Sequence, residues 1–214
     1  GYEATGLLID NVVLTGTIDE GNEGGEGGEA SGASFAFDFN DSTTTGWRDI
    51  DQDGDAHSWF ISEYAGVGGT ACIMSETYSF DGGTLYPDNY FVTTDAYQIA
   101  AGSTLSWKVR PTDASFCNEH YAIVVSTDNT TFTNVWEETL TSMYDFAEKT
   151  VDLSDYAGQN VYIGFRHYNC NGSNATALII DDVVLTGGSG NEGEEEDPEQ
   201  PELATTFSFD FNSN

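Results

Sequence analysis

Residues Ala177 to Gly187 spell ALIIDDVVLTG, and nearly the same stretch occurs at Gly6 to Gly16 as GLLIDNVVLTG. A run of branched aliphatic residues that ends in Thr-Gly predicts a buried β-strand. A second pair of matching stretches, FAFDFN from Phe35 and FSFDFN from Phe207, is separated by almost the same number of residues. Two independent segments therefore indicate a single tandem repeat.

The repeat predicts one complete unit at residues 35–187 between two fragments of neighbouring units. Residues 1–16 are interpreted as the closing strand of a preceding repeat, and residues 207–214 as the opening strand of a following one. Residues 17–34 and 188–206 contain no Lys or Arg and are rich in Gly and Glu, which is typical of linkers. The complete unit is long enough to form one hydrophobic core.

Apolar and polar residues alternate along several short stretches of the unit, as at Leu105, Trp107 and Val109. This period marks half-buried strands of an antiparallel sheet, and no stretch keeps the period of a helix. The sequence therefore predicts an all-β fold, an antiparallel β-sandwich with jelly-roll topology. The predicted strands are Phe35 to Asn40, Ser58 to Ser62, Ala71 to Ser75, Asn89 to Thr94, Thr104 to Arg110, His120 to Ser126, Thr131 to Leu140, Lys149 to Leu153, Val161 to Tyr168 and Thr176 to Thr186.

The chain is strongly acidic, with a formal net charge of −32 and five Lys and Arg residues. Nucleic acid is excluded as a partner because binding a polyphosphate requires a cationic face. Anionic membranes are excluded for the same reason, and no apolar run is long enough to insert into a bilayer. Aspartate in the turns of the unit instead favours a hard cation that takes oxygen ligands.

The densest acidic motif is Asp49-Ile-Asp-Gln-Asp-Gly-Asp55, in which alternating carboxylates can converge on one ion. Its first half resembles an EF-hand loop, but Phe60 stands at the twelfth position, where that loop needs Glu. The motif therefore predicts a Ca²⁺-binding loop of a β-sandwich. An aspartate-rich turn held by its own hydrogen bonds is the alternative. The predicted ligands are Asp51, Asp53 and Asp55.

A second acidic group joins the two ends of the unit. The adjacent acids of LIIDDVVL place one side chain on each face of a strand, so one carboxylate points inward and needs a cation or hydrogen bonds. Opening and closing strands of a sandwich commonly pair, which predicts a second metal site there. A salt bridge to Arg48 or Arg166 is the rival interpretation. The candidate ligands are Asp38, Asn40, Asp41, Asp181 and Asp182.

Three cysteines are present, and two of them lie at the ends of predicted strands. Cys117 precedes His120 and Cys170 follows His167, each at the same spacing. If these strands are antiparallel neighbours, both sulfurs lie at one sheet edge, which predicts a Cys117–Cys170 disulfide. The same four residues also leave a zinc site open. Cys72 is predicted to be a buried thiol.

Several segments together resemble the cleaved adhesin family, the modules of gingipain-type and haemagglutinin-type cell-surface proteins of Bacteroidetes. The resemblance covers nearly all of residues 35–187. It implies a jelly-roll sandwich, structural Ca²⁺, extracellular display and binding to host or matrix macromolecules. Asn40 departs from the acidic residue that the family carries after its opening strand. The matching segments are Trp47-x-x-Ile50-Asp51-x-Asp53-Gly54-Asp55, Pro87-Asp88-Asn89-Tyr90-x-Val92-Thr93, Glu119-His120-Tyr121-Ala122, Phe165-Arg166-His167 and Leu178-x-Ile180-Asp181-Asp182-Val183-Val184.

These observations predict a non-catalytic, extracellular, Ca²⁺-stabilised adhesin repeat for cell-surface adhesion or assembly. No GxSxG, HExxH or P-loop motif is present, so we expect no enzymatic activity. The expected partners are neighbouring repeats or subunits of the same protein, and host or matrix protein or glycan.

Two alternatives remain open. The first is an extracellular filament that polymerises by strand donation through residues 6–16 and 207–214. The second is a carbohydrate-binding module, in which exposed aromatic side chains form a platform for sugar rings. The aromatic residues considered for that platform are Trp59, Tyr64, Trp136 and Tyr144.

Overall fold

The computed structural model describes residues 31–141 and 145–188. The predicted terminal strands at 1–16 and 207–214 lie outside these residues, as do nearly all of the two predicted linkers. Within the described residues, no helix has the length and apolar composition needed to cross a membrane. The elements are β1 (Phe35–Phe37), β2 (Trp47–Asp51), β3 (Phe60–Ser62), β4 (Cys72–Glu76), β5 (Tyr78–Ser79), β6 (Gly83–Thr84), β7 (Asp88–Thr93), β8 (Tyr97–Gln98), β9 (Thr104–Pro111), β10 (His120–Ser126), β11 (Thr133–Thr139), β12 (Ala147–Asp152), β13 (Asn160–Tyr168) and β14 (Ala177–Thr186), with 3-10 turns at Val67–Gly69 and Ser154–Tyr156.

Two antiparallel sheets make up the domain. The first has the strand order β12-β9-β14-β4-β3, with β1 also paired to β14, and the second has the order β11-β10-β13-β7-β2, with β8 paired to β13. Strands β5 and β6 form a separate hairpin. The chain passes repeatedly from one sheet to the other, as in a jelly roll. The predicted all-β antiparallel sandwich is confirmed.

The core between the sheets is filled by aliphatic and aromatic side chains at alternate strand positions. Leu105, Trp107 and Val109 of β9 are fully buried, as their alternation predicts. The Trp107 indole nitrogen donates to the Tyr121 hydroxyl of the opposite sheet at 3.0 Å. The Trp107 ring also contacts Phe165 edge-on, with centroids 5.9 Å apart. Aromatic packing therefore ties the two sheets together.

The opening and closing strands pair, as predicted. Phe35 lies opposite Leu185 and Phe37 lies opposite Val183. The opening strand ends at Phe37, earlier than predicted, because the buried Phe39 adopts a left-handed φ of 54°. Strand β14 therefore lies at the centre of its sheet, where it pairs with β1, β4 and β9.

Strand β2 was not predicted from the sequence. Three of its five residues are charged, so the apolar alternation that marks the other strands is weak there. The segment nevertheless pairs with β7 along its whole length, from Trp47 opposite Thr93 to Asp51 opposite Asn89. The buried Trp47 ring, stacked on Phe91 with centroids 5.0 Å apart, anchors it. Tertiary packing decides this strand rather than local pattern.

We predict that Phe165→Ala lowers the free energy of unfolding by about 3–5 kcal/mol, because it leaves a cavity beside the aromatic core. The matched control is Phe80→Ala, whose ring is fully exposed, and its effect should stay within about 0.5 kcal/mol. Urea unfolding followed by tryptophan fluorescence measures both values. Equal effects of the two substitutions would contradict the described core.

Candidate functional site

The aspartate loop lies where β2 ends and the chain turns toward β3. Asp51 is the last residue of β2, and Asp53 and Asp55 follow at alternate positions. Each offers a carboxylate oxygen, and these three oxygens lie within 4.8 Å of one another. Asp49 does not belong to this group. The structure thus brings together the three residues that the sequence named as Ca²⁺ ligands.

Backbone amides hold the carboxylates of the loop in place. Asp51 accepts hydrogen bonds from Gly54 at 2.6 Å and from Ala56 at 2.9 Å. Asp53 accepts from the amide of Asp88, the first residue of β7, at 2.7 Å. Gly54 makes the turn possible, because its φ of 74° is strained for residues with a side chain. The loop is therefore ordered and docked against the next strand.

The loop concentrates negative charge without a neutralising side chain. Burial disfavours the charged form of Asp51, but the amides of Ala56 and Gly54 outweigh it and lower the pKa of this carboxyl. Burial raises the pKa of Asp53, and repulsion from Asp55 adds to the effect. Among the described residues, no Lys, Arg or His forms an ion pair with these three acids.

The second predicted group is centred on Asp181, a residue that is 1% exposed. Its carboxylate accepts hydrogen bonds from the amides of Val67 and Asp182, each at 2.8 Å. Burial raises the pKa of Asp181, and the charges of Asp182 and Asp38 raise it further. The prediction that one acid of the pair points inward is confirmed, and a break in register between Asp181 and Val184 accompanies it.

The other members of this group do not converge on Asp181. Asp182 pairs with Lys108 at 2.8 Å. Asp41 accepts hydrogen bonds from Thr43, and Asp38 accepts one from the amide of Asn40. Within the described part of the chain, these acids do not form a set of three ligand atoms within 4.8 Å of one another.

The predicted rival, a salt bridge to Arg48 or Arg166, is wrong. Arg166 forms a two-pronged ion pair with Asp88, at 2.7 and 2.9 Å. Arg48 donates to the side chain of Asn129 at 2.5 Å. Both arginines belong to the second sheet, and among the described residues neither forms an ion pair with Asp181.

The predicted Cys117–Cys170 disulfide is absent, and all three cysteines are free and buried. The physical reason is register, because Cys117 lies opposite Ala175 rather than Cys170. The predicted burial of Cys72 is confirmed, and burial raises the pKa of this thiol to about 12. The four-residue zinc alternative does not assemble either, since His120 bonds to Thr139 and contacts the Tyr168 ring on another face.

Glu119, His167 and Cys170 form a buried cluster that was not predicted from the sequence. His167 Nε2 is 3.0 Å from Glu119 Oε2 and 3.2 Å from Cys170 Sγ. Burial opposes protonation of His167, but Cys170 and Glu119 outweigh it and raise its pKa. The signals in the sequence were the Glu119-His120 dipeptide and the His167-x-x-Cys170 motif. The predicted zinc alternative used His120 as a ligand, whereas the structure places Glu119 next to His167.

The predicted aromatic platform does not form. Trp59 is buried and donates to the carbonyl of Asn89, Trp136 packs half-buried against the core, and Tyr144 lies outside the described residues. Tyr64 is exposed as expected. Among the described residues, the large apolar side chains that do face solvent are Phe60, Tyr64, Tyr78, Phe80, Tyr86 and Phe116.

Two of these exposed rings border a small apolar groove at one end of the sandwich. Tyr78 and Phe116 line it together with Gly172, Ala175 and Thr176, and its volume is about 190 Å³. Phe80 contacts Tyr78 edge-on beside it, with centroids 6.4 Å apart. Both rings are partly exposed, which suits a ligand with apolar faces.

Comparison with known proteins gives one family match. The model of the Cleaved Adhesin Domain matches residues 35–185. The chain is 35% identical over 175 residues to Hemagglutinin A of Porphyromonas gingivalis, a match that covers 69% of this chain and 6% of that protein. It is 34% identical over 158 residues to Lys-gingipain W83 of the same organism, covering 64% and 9%. The chain thus spans less than a tenth of either relative.

Solved structures share the architecture. The K1 cleaved adhesin domain of Lys-gingipain from Porphyromonas gingivalis W83 has a TM-score of 0.64 at 30% identity, covering 72% of this chain and 98% of that chain. The K3 domain of the same protein has a TM-score of 0.61 at 29% identity, covering 73% and 97%. TmCBM61 in complex with β-1,4-galactotriose has a TM-score of 0.50 at 12% identity, covering 70% and 94%, which shows a likeness of fold alone.

The buried Asp181 carboxylate predicts a pH dependence in calcium-free buffer. Because its pKa is raised in the folded state, its charge opposes folding, and protonation removes that cost. The free energy of unfolding of the wild type minus that of Asp181→Asn should therefore rise as the pH falls from about 7 to about 4. Urea unfolding at successive pH values measures the difference.

Asp128→Asn is the control, because the pKa of Asp128 is shifted in the opposite direction to that of Asp181. The amides of Thr131 and Thr130 lower the pKa of Asp128 in the folded state. Its contribution to stability is present above the unfolded pKa and is lost as the pH falls further. The free energy of unfolding of the wild type minus that of Asp128→Asn should stay constant down to about pH 4 and decrease below it. Parallel curves for the two variants would contradict the assignment of Asp181.

Proposed function

The chain belongs to the cleaved adhesin domain family, and from this premise we propose that it is a non-catalytic, extracellular adhesin repeat stabilised by Ca²⁺. Family membership supports adhesion as the role. The sequence carries no nucleophile-elbow, zinc-protease or P-loop motif, which supports binding rather than catalysis. The proposed partners are neighbouring repeats of the same protein and host or matrix protein or glycan.

The observation that carries the Ca²⁺ proposal is the convergence of Asp51, Asp53 and Asp55 without a protein cation. The chain has five Lys and Arg residues, and each is engaged elsewhere. A cation from solution is therefore the available means of relieving repulsion in the loop. The engaged pairs are Arg48 with Asn129, Lys108 with Asp182, Arg110 with the carbonyl of Ala65, Lys149 with Glu138, and Arg166 with Asp88.

The donor set of the loop fits a hard cation. Ca²⁺ takes carboxylate and carbonyl oxygens in flexible geometry and completes its shell with water. Asp51 ends β2, and Asp53 contacts the first amide of β7. A bound ion would thus fasten the loop to the sheet, which supports a structural role for the metal rather than one in reaction chemistry.

A second Ca²⁺ position is proposed at Asp181. Its carboxylate is buried without an ion pair among the described residues, and Asp38 and Asp182 are near enough to raise its pKa. Lys108 already compensates Asp182, so this position is expected to bind more weakly than the aspartate loop. Asn40 and Asp41 are exposed on the neighbouring turn and have no part in the proposed set.

Carbohydrate binding is a second candidate, favoured by the groove between Tyr78 and Phe116. Sugar rings present apolar faces that pack on aromatic side chains, and both rings are partly exposed there. The alternative of a filament formed by strand donation depends on residues 6–16 and 207–214. These residues lie outside the described part of the chain, so that hypothesis stays a prediction.

Ca²⁺ at one hundred times its dissociation constant is expected to raise the melting temperature of the full chain by roughly 5–10 °C over EDTA, because a ligand specific to the folded state stabilises it by about 2.7 kcal/mol. Asp53→Asn should remove most of this shift. Asp49→Asn, in the same segment but outside the group, should retain it. Thermal unfolding by circular dichroism measures all three proteins. An equal shift in both variants would contradict the loop as the site.

For the carbohydrate candidate, Phe116→Ala is expected to weaken binding to any glycan found on an array by about tenfold or more, since truncating a hot-spot aromatic side chain costs about 2 kcal/mol or more. Phe60→Ala is the control, because its ring is also partly exposed but belongs to β3 and does not line the groove. Retained binding by Phe116→Ala would rule out the groove.

A further inference from the structure

The buried cluster of Glu119, His167 and Cys170 lies at one end of the sandwich, between the two sheets. Glu119 immediately precedes β10, His167 lies near the end of β13, and Cys170 follows that strand. Ser75 of β4 and Thr77 after it reach the cluster from the opposite sheet. The cluster is therefore supported from both layers of the fold.

The geometry of the cluster brings three different donor atoms together. His167 Nε2 contacts both Glu119 Oε2 and Cys170 Sγ, and all three atoms lie within 4.8 Å of one another. The side chains of Glu119 and His167 have no exposed surface, and Cys170 is 9% exposed. A single ring nitrogen carries either one hydrogen or one lone pair, so it cannot make two full hydrogen bonds. One cation among the three atoms would contact all of them.

Outer contacts orient two of these donors. His167 Nδ1 lies 2.8 Å from the hydroxyl oxygen of Ser75, which can accept its hydrogen and leave the Nε2 lone pair directed at the cluster. The other carboxylate oxygen of Glu119 accepts from the amide of Thr176 at 2.7 Å, and Thr77 donates to the same carboxylate. Partners of this kind fix the tautomer and orientation of metal ligands.

From this geometry we propose that Glu119, His167 and Cys170 form a buried Zn²⁺ site, distinct from the proposed Ca²⁺ positions. One thiolate, one imidazole and one carboxylate match the ligand types of zinc. The carboxylate and the thiolate together carry two negative charges, which balance a divalent ion in a site that excludes water. Ca²⁺ is disfavoured because it prefers oxygen ligands alone.

Zinc geometry requires only a small adjustment of the cluster. Bond lengths of about 2.0–2.3 Å to nitrogen, oxygen and sulfur would move His167 Nε2 away from the other two ligand atoms by a few tenths of an ångström. The second oxygen of Glu119, which the amide of Thr176 holds in place, would complete the coordination. The amide of Thr176 bonds to Glu119, and Thr176 also lines the groove beside Phe116. The ion would therefore stabilise the floor of that groove.

The test uses the full chain, unfolded in denaturant with a chelator and refolded in saturating Ca²⁺. Titration with Co²⁺ is expected to give near-ultraviolet thiolate-to-metal absorption that saturates at a single equivalent and is displaced by Zn²⁺. Cys170→Ser should abolish this absorption and weaken Zn²⁺ binding by tenfold or more. Cys72→Ser should retain both, since Cys72 is another buried thiol that lies outside the cluster.

Two outcomes would overturn the proposal. One is a refolded wild type without Co²⁺–thiolate absorption, which leaves Glu119 and His167 as a metal-free hydrogen-bonded pair. The other is equal loss of absorption in the Cys72 and Cys170 variants. If Cys170→Ser fails to fold, Glu119→Gln and native mass spectrometry of the wild type decide the matter, because the proposal requires one bound Zn²⁺ in the wild type. Because Ca²⁺ is saturating in every titration, binding of Co²⁺ or Zn²⁺ to the cluster is distinguished from metal binding to the aspartate loop.

Discussion

The shortage of positive charge is the constraint on which the rest of this structure depends. The chain has five Lys and Arg side chains and 37 Asp and Glu side chains. Arg166 joins two strands of one sheet through Asp88, and Lys149 joins β12 of one sheet to Glu138 on β11 of the other. With the cations used in this way, the Asp51 to Asp55 loop is left without a counter-charge from the protein. A divalent ion from solution, as proposed above, would supply the missing positive charge.

The fold determines where the unpaired polar groups collect. Aromatic packing fills the space between the sheets, so ionisable side chains are excluded from the centre and gather at strand ends and at breaks in register. The aspartate loop lies at the end of β2, the cluster of Glu119, His167 and Cys170 at the ends of β10 and β13, and Asp181 at a bulge in β14. Metal ions at these points would stiffen the loops without contributing to chemistry. The exposed groove beside Phe116 would then be a rigid surface for binding.

The sequence predicts most of the fold because its buried strands alternate clearly, as in Leu105, Trp107 and Val109. It also predicts that one acid of the Asp181-Asp182 pair points inward, but not which one, because the register break after Asp181 is not visible in the sequence. Strand β2 could not be predicted because its charged residues weaken the apolar alternation, while the packing of Trp47 that stabilises it is visible only in the structure. The disulfide prediction is wrong because strand register, which places Cys117 opposite Ala175, is not visible in the spacing. Likewise, the burial of Trp59 depends on contacts distant in sequence, such as its bond to the carbonyl of Asn89.

The central claim is that a cation supplied by the solvent neutralises the carboxylates that the protein leaves unpaired. Isothermal titration of the metal-free full chain with Ca²⁺, at an ionic strength of about 0.15 M so that loose counterions are screened, tests it most directly. The account predicts saturable binding that is lost when Asp51, Asp53 and Asp55 are replaced together by Asn. Absence of saturable heat at millimolar Ca²⁺, or unchanged binding by the triple variant, would contradict it.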